Sequence, residues 1–317
     1  MMTSNRSMTG WKSLTSATKT VAASVVALSL TMTNVHAQEN AVLAVEASEA
    51  VDDPGGGARI NLSGKLRMLS QRIPASACYL QAGIGTEDTS AMLVAAQQEF
   101  AQITNALQNG DPDLGVYSAE PRRKTLLGIE KLRELWAPVS AGADEGAAGD
   151  GTAETVEQIA ADSAPLLELA KKLVTVISTQ YSNPGELLVR DALSVDIAGR
   201  QRMLAQRVSK NMCLASVGLG SDAVLAELEA AANTVDSSLY ALHRGMPDAG
   251  IQAPPTPEIE AGLAGVIVDW EATEPLIASV LAGQQLDDEQ MAIMFAAGNS
   301  LTGGMNAVVG LYAEASK

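Results

Sequence analysis

Apolar residues recur at helical spacing through most of this chain. Leu62, Leu66, Leu69 and Ile73 stand at i, i+4, i+7 and i+11, the seam of a helix packed against others. Alternating strand-like runs of Val, Ile and Thr are missing, and Ala, Leu, Glu and Gln dominate between the breaks. The pattern predicts helices at 58–83, 87–109, 120–138, 153–181, 186–217, 222–244, 257–283 and 287–315. Asn183-Pro184-Gly185 is the strongest interruption and divides them into two sets of four. Gly83 and Gly85, like Gly218 and Gly220, suit helix C-termini, and Thr86 and Ser221 follow where an N-cap is needed. Ala141–Gly151 is low in complexity and reads as a mobile loop. The expected fold is all-α: two tandem antiparallel four-helix bundles, 58–183 and 184–317, related by pseudo-twofold symmetry.

The two halves repeat one another. Residues 64–73 read GKLRMLSQRI and residues 199–208 read GRQRMLAQRV. Gly64, Arg67, Met68, Leu69, Gln71, Arg72 and Cys78 match Gly199, Arg202, Met203, Leu204, Gln206, Arg207 and Cys213 without a gap. Farther on, Pro112-Asp113-Leu114-Gly115 matches Pro247-Asp248-Ala249-Gly250. A repeat this long marks two domain copies rather than a solenoid unit of about 20–50 residues.

On a helical wheel at about 100° per residue, the stripe Leu62, Leu66, Leu69, Ile73 faces the interior of its own bundle, as do Ile197, Gln201, Leu204 and Val208 in the second copy. Arg67 lies on another face with Ser63, Gly64, Ser70, Gln71 and Cys78; Gly199, Arg202, Gln206 and Cys213 repeat that face. A mid-helix glycine costs up to about 1 kcal/mol against alanine. Its presence in both copies implies close approach of another backbone, for which the sister helix is the natural candidate. Two arginines brought together repel unless an anion lies between them, and the planar guanidinium fork suits a planar oxyanion. Arg67 and Arg202, with Gly64, Gly199, Gln71 and Gln206, are therefore the candidate ligand-binding residues. The alternative is that each arginine pairs with a carboxylate of its own bundle. Arg72 and Arg207 lie on a different side and read as a solvated or salt-bridged flank. Cys78 and Cys213, on the arginine face at matched positions, are candidates for a disulfide, the alternative being two small buried hydrophobes.

The first residues change the setting. Arg6, Lys12 and Lys19 precede a short apolar stretch from Val21 to Met32 and a small-residue cleavage site, Val35-His36-Ala37. Residues 1–37 read as a signal peptide for the general secretory route, which makes the protein periplasmic. Residues 38–57 follow as a flexible acidic leader. Cleavage removes three basic and no acidic residues, so the formal charge of −16 becomes more negative. Such a chain repels nucleic acid and anionic lipid, and any anion site needs locally concentrated positive charge. No later segment is long and apolar enough for insertion in a membrane after signal cleavage.

GKLRMLSQRI and GRQRMLAQRV resemble the N-terminal sensor domain of type IV pilus methyl-accepting chemotaxis transducers (PilJ-like). They also resemble the shorter signature of the nitrate/nitrite sensor kinases, here Gly64-Lys65-Leu66-Arg67-Met68 with Asn61 three positions before the glycine. The second copy departs from it, with Gln201 for the leucine and Asp196 for the asparagine. In those sensors two subunits bind one anion at their interface through this arginine. The resemblance implies that Arg67 and Arg202 build the same site within one chain.

Other chemistry is scarce. His36 and His243 are isolated, and no His, Cys and carboxylate spacing points to a metal. No glycine-rich loop follows a strand, and no nucleophile–base constellation is legible. The methionines read as core filling, and Trp136 and Trp270 as packing anchors. The sequence therefore points to a non-catalytic, cofactor-free sensor that binds a small nitrate- or nitrite-like anion. It would signal through a separate membrane receptor, transporter or pilus-related protein. The competing reading is an interaction protein that binds a pilus, chemoreceptor or envelope component, with the motif as a packing device.

Overall fold

The computed structural model describes residues 55–181 and 189–315; the expected signal peptide, most of the expected acidic leader and the Asn183-Pro184-Gly185 break lie outside the described residues. All the named elements among those residues are helical. In chain order they are α1 (Gly56–Gln81), α2 (Thr86–Asn109), α3 (Arg123–Ala148), α4 (Ala153–Tyr181), α5 (Val189–Ser216), α6 (Asp222–Arg244), α7 (Pro257–Glu271), α8 (Glu274–Leu281) and α9 (Asp288–Ala315). Helices α1 to α4 pack on one another, and α5 packs with α6, α8 and α9. The long motif helices α1 and α5 also pack directly against each other and join the two sets. This explains why α1 is buried nearly all round: Leu66, Leu69 and Ile73 face the core of their own set, while Ser63, Ser70, Gln71 and Cys78 are buried as well.

The repeat extends into the connections. Pro112–Leu114 and Pro247–Ala249 are matched 3-10 turns, each closed by one antiparallel bridge, Asp111 to Val116 and Met246 to Ile251. The cores are filled differently. Phe100 stacks on Trp136 with centroids 4.1 Å apart in the first set, whereas Met291, Met294, Met305 and Trp270 fill the second. At one end of the first set the fully buried Arg59 donates to the Leu107 carbonyl at 3.1 Å, and Tyr181 donates to Glu120 at 2.7 Å.

Four expectations are corrected. Ala141–Gly151 is not a loop: α3 runs through it to Ala148, with Val139 and Ala143 buried. A Cβ on Gly142 would come within 2.7 Å of Ile159 Cγ1. The small residues there let α3 and α4 approach; they are not a sign of mobility. The helix expected over 257–283 breaks at Ala272-Thr273, because Pro275 lacks the amide hydrogen that would continue the ladder and so starts α8 in its first turn. Thr86 is the first residue of α2 rather than its cap, which is Gly85 at φ 52°; Ser221 does cap α6, accepting from the Val224 amide. The leader ends sooner than expected, since Gly56 and Gly57 already belong to α1.

Candidate functional site

Where α1 and α5 pack, the two repeated arginines converge. Arg67 is 6 % exposed and Arg202 is 3 % exposed. A Cβ built on Gly64 would lie 3.5 Å from Nη2 of Arg67 and 3.5 Å from Nη2 of Arg202. The same construction on Gly199 gives 3.9 Å and 3.5 Å. These are ordinary van der Waals distances to the guanidinium ends, with no backbone of the sister helix within 4 Å of either position, so the close backbone approach expected at the two glycines is not found; what they border is the arginine pair.

The polar contacts cross between the copies. Arg67 Nη1 donates to Asp196 Oδ1 at 3.4 Å, and Arg202 Nη1 donates to Asn61 Oδ1 at 3.2 Å. Asn61 and Asp196 are themselves matched positions, so the contacts are reciprocal. Arg202 also donates to Asn306 Oδ1 at 2.8 Å and through Nε to the Gly199 carbonyl at 3.3 Å. Arg67 is less well held, since its Nε is buried with no hydrogen-bond partner. Asp196 divides itself: its second oxygen accepts from Arg200 Nη2 at 2.5 Å. Burial is the main influence on both arginines. It lowers the Arg67 guanidinium, an effect Asp196 opposes. It also pulls Arg202 down to about 10, with the positive charge of Arg67 adding to the effect. Both remain cations at neutral pH, so two charges are held together in a place with little water.

The two glutamines have separate tasks. Pro74, inside α1, has no amide hydrogen to give the Ser70 carbonyl. Gln71 Nε2 donates to that carbonyl instead, at 3.1 Å. In the second copy Ser209 replaces Pro74, and Gln206 is released for other partners. Its Nε2 donates to the Gly298 carbonyl at 2.9 Å, Thr302 Oγ1 at 2.9 Å and Asn299 Oδ1 at 3.2 Å, all on α9. Neither glutamine has a hydrogen bond to either arginine side chain. The flank residues differ from each other. Arg207 is salt-bridged, 3.1 Å from Glu227, which also takes Lys210 at 3.0 Å. Arg72 is only partly solvated: it is half-buried with its Nε unpaired, and burial lowers its guanidinium.

Cys78 and Cys213 are bonded, with Cα atoms 6.2 Å apart across the α1–α5 junction. Beside them the buried Tyr79 hydroxyl donates to the Ser209 carbonyl at 3.1 Å and is pushed well above its ordinary pKa by that burial. Two contributors escaped the sequence reading. Asn306 lies on the last helix, where the matched position of the first copy is Lys171, and its only signal is an amide within an apolar, glycine-rich helix. Tyr79 faces Leu214 in the alignment of copies, so the repeat does not flag it. Among the described residues no group of His, Cys, Asp and Glu could hold a metal ion, and no helix is long and apolar enough to cross a membrane.

Comparison with known proteins agrees with this duplicated arrangement. The family model described as type IV pili methyl-accepting chemotaxis transducer N-term matches the chain twice, over residues 54–161 and 188–293. No curated protein matches it. The two matches cover more than half of the 317 residues, and the chain belongs to the PilJ family of chemotaxis-transducer N-terminal domains, carrying that domain in tandem.

Proposed function

We propose that this protein is a periplasmic sensor that binds a small planar oxyanion, of the nitrate or nitrite kind, between α1 and α5. One observation carries the reading: two arginines from matched positions are buried together beside two glycines, with Asp196 at ion-pair distance from Arg67 and Glu99 acting on Arg202 only from farther off. Isolated buried cations are costly, and a preformed pair is accounted for by a ligand that neutralises it. The guanidinium forks offer parallel donors to a planar anion. The Cys78–Cys213 bond fits export, since disulfides persist in oxidising compartments. The two sets of helices, 58–183 and 184–317, act as the two halves of one binding unit. The protein is non-catalytic and passes its signal to a separate receptor, transporter or pilus-related partner.

Calorimetric titration of the mature, oxidised chain with sodium nitrate and sodium nitrite tests this. Arg67→Ala and Arg202→Ala should each weaken binding by about 1.5–3 kcal/mol, the scale of a charged hydrogen bond. The double variant should lose less than the sum, because both groups act on one ligand. The absence of heat and of any thermal shift in the wild type would instead favour an interaction protein, in which the arginine pair fastens the two halves together.

A further inference from the structure

The site is not symmetric, and its asymmetry is a charge. At the matched positions the first copy has Asn61 and the second has Asp196. Each meets the arginine of the other copy, Asn61 at 3.2 Å from Arg202 and Asp196 at 3.4 Å from Arg67. The asparagine supplies an acceptor without charge, while the aspartate supplies a full negative charge. Two buried guanidiniums and the one carboxylate in contact with them leave one positive charge. Arg200 also holds Asp196 and Glu99 acts on Arg202 from farther off, but the Arg200 side chain is 57 % exposed and Glu99 is partly exposed and paired with Lys65 at 2.8 Å, so solvent, salt and that pairing screen them.

We propose that Asp196 is the internal counter-ion of the arginine pair and sets the charge of the ligand: the site takes a monovalent oxyanion and discriminates against a divalent one. This rests on the anion-binding reading above and adds to it a residue that chooses among anions. The geometry favours Asp196 as a counter-ion that shares the site with a ligand. Charge-assisted N–H···O bonds close to about 2.7–2.9 Å, and the Arg67–Asp196 contact is well outside that range, while Asp196 is drawn to Arg200 at 2.5 Å. Arg67 therefore keeps donors for a ligand, its buried Nε among them. A second negative charge from a dianion would be placed in a poorly hydrated site already balanced by the first, facing Asp196 across the pair. Like charges set together in such surroundings are strongly disfavoured.

The test titrates the mature, oxidised chain with sodium nitrate and sodium sulfate at matched ionic strength. The wild type should bind nitrate about tenfold or more tighter than sulfate. Asp196→Asn, which makes the two copies alike, should shift that ratio towards sulfate by about tenfold or more. The difference in shape between the two anions is the same in both proteins and drops out of the comparison. Asn61→Asp adds a second carboxylate and should weaken nitrate binding by about tenfold or more. The combined variant Asn61→Asp, Asp196→Asn moves the carboxylate to the other copy and should return the preference to within about threefold of the wild type. Arg67→Ala separates the two claims. If nitrate binding depends on Arg67 but the nitrate-to-sulfate ratio is unmoved by Asp196→Asn, the charge-setting role is overturned and the anion site stands. If the wild type binds neither anion, both fall.

Discussion

The division of labour between Gln71 and Gln206 can be tested by a double-mutant cycle. Gln71 is assigned to the backbone: it donates to the Ser70 carbonyl that Pro74 cannot reach. Gln71→Met keeps the volume and removes the donor, leaving a buried carbonyl without it. An unsatisfied buried group of this kind costs about 1–3 kcal/mol. Pro74→Ala restores an amide hydrogen to the helix ladder, and in that background the carbonyl no longer needs the glutamine. Other consequences of Gln71→Met, such as removal of its own unpaired Oε1, occur in both backgrounds and cancel. The two substitutions should therefore be coupled by at least about 1 kcal/mol, above the roughly 0.3–0.5 kcal/mol scatter of independent sites. The measurement is the midpoint of urea unfolding at constant slope for the four proteins. Additive effects would refute the carbonyl role and return Gln71 to the list of ligand contacts. A loss of anion binding in Gln71→Met without any coupling would say so directly.

The remaining predictions concern the disulfide and a half-buried acid. The Cys78–Cys213 bond closes a loop with a sequence separation of 135, for which the chain-entropy model gives about 5 kcal/mol before strain. Thiol labelling of unreduced, denatured protein should find no free cysteine among the two, and Cys78→Ala with Cys213→Ala should lower unfolding stability by up to that amount; a loss under about 1 kcal/mol would contradict the model. Burial by itself raises the Glu227 carboxyl, but Lys210 and Arg207 outweigh it and hold the group below its ordinary value of 4.5. A depressed acid contributes stability that is complete above its unfolded pKa and lost as pH falls through its folded pKa. The stability difference between wild type and Glu227→Gln should thus be constant near neutrality and shrink across the acidic carboxylate range; a difference that grows on acidification would reverse the assignment.

The parts of this molecule that were legible in the sequence are those that the two copies share. Helical periodicity located α2, α4 and α6 closely, and the conjunction of Gly64 with Arg67, repeated as Gly199 with Arg202, pointed to helices in close approach. What was not legible depends on neighbours that periodicity does not name. The run Ala141–Gly151 has the composition of a loop, yet it is helical as far as Ala148 because Gly142 lets Ile159 close on it. Gln71 and Gln206 are identical in the alignment but not in environment, because a proline three residues on changes which carbonyl needs a donor. Asn306 belongs to a helix whose counterpart in the first copy carries Lys171 at the matched position, so no repetition marks it. A Leu-to-Gln change at position 201 is visible in the sequence, but only the structure shows it 2 % exposed with its Oε1 unpaired among apolar residues.

Joining two copies in one chain permits an arrangement that two identical subunits cannot adopt. In a symmetric dimer every residue at the interface appears twice. Aspartate at the position of Asp196 would then appear at that of Asn61 as well, and two carboxylates would cancel both arginines and leave no charge for an anion. Asparagine at both positions would leave two charges uncompensated. A single chain can hold one of each, and here it does. The same freedom is visible along the rest of the junction. Pro74 faces a different backbone requirement from Ser209, and Tyr79 donates across to Ser209 where Leu214 has nothing to donate back. Both copies carry the arginines and the glycines beside them. The copies differ at Asn61 and Asp196, and under the proposed charge rule that difference gives one site a net charge between the symmetric alternatives.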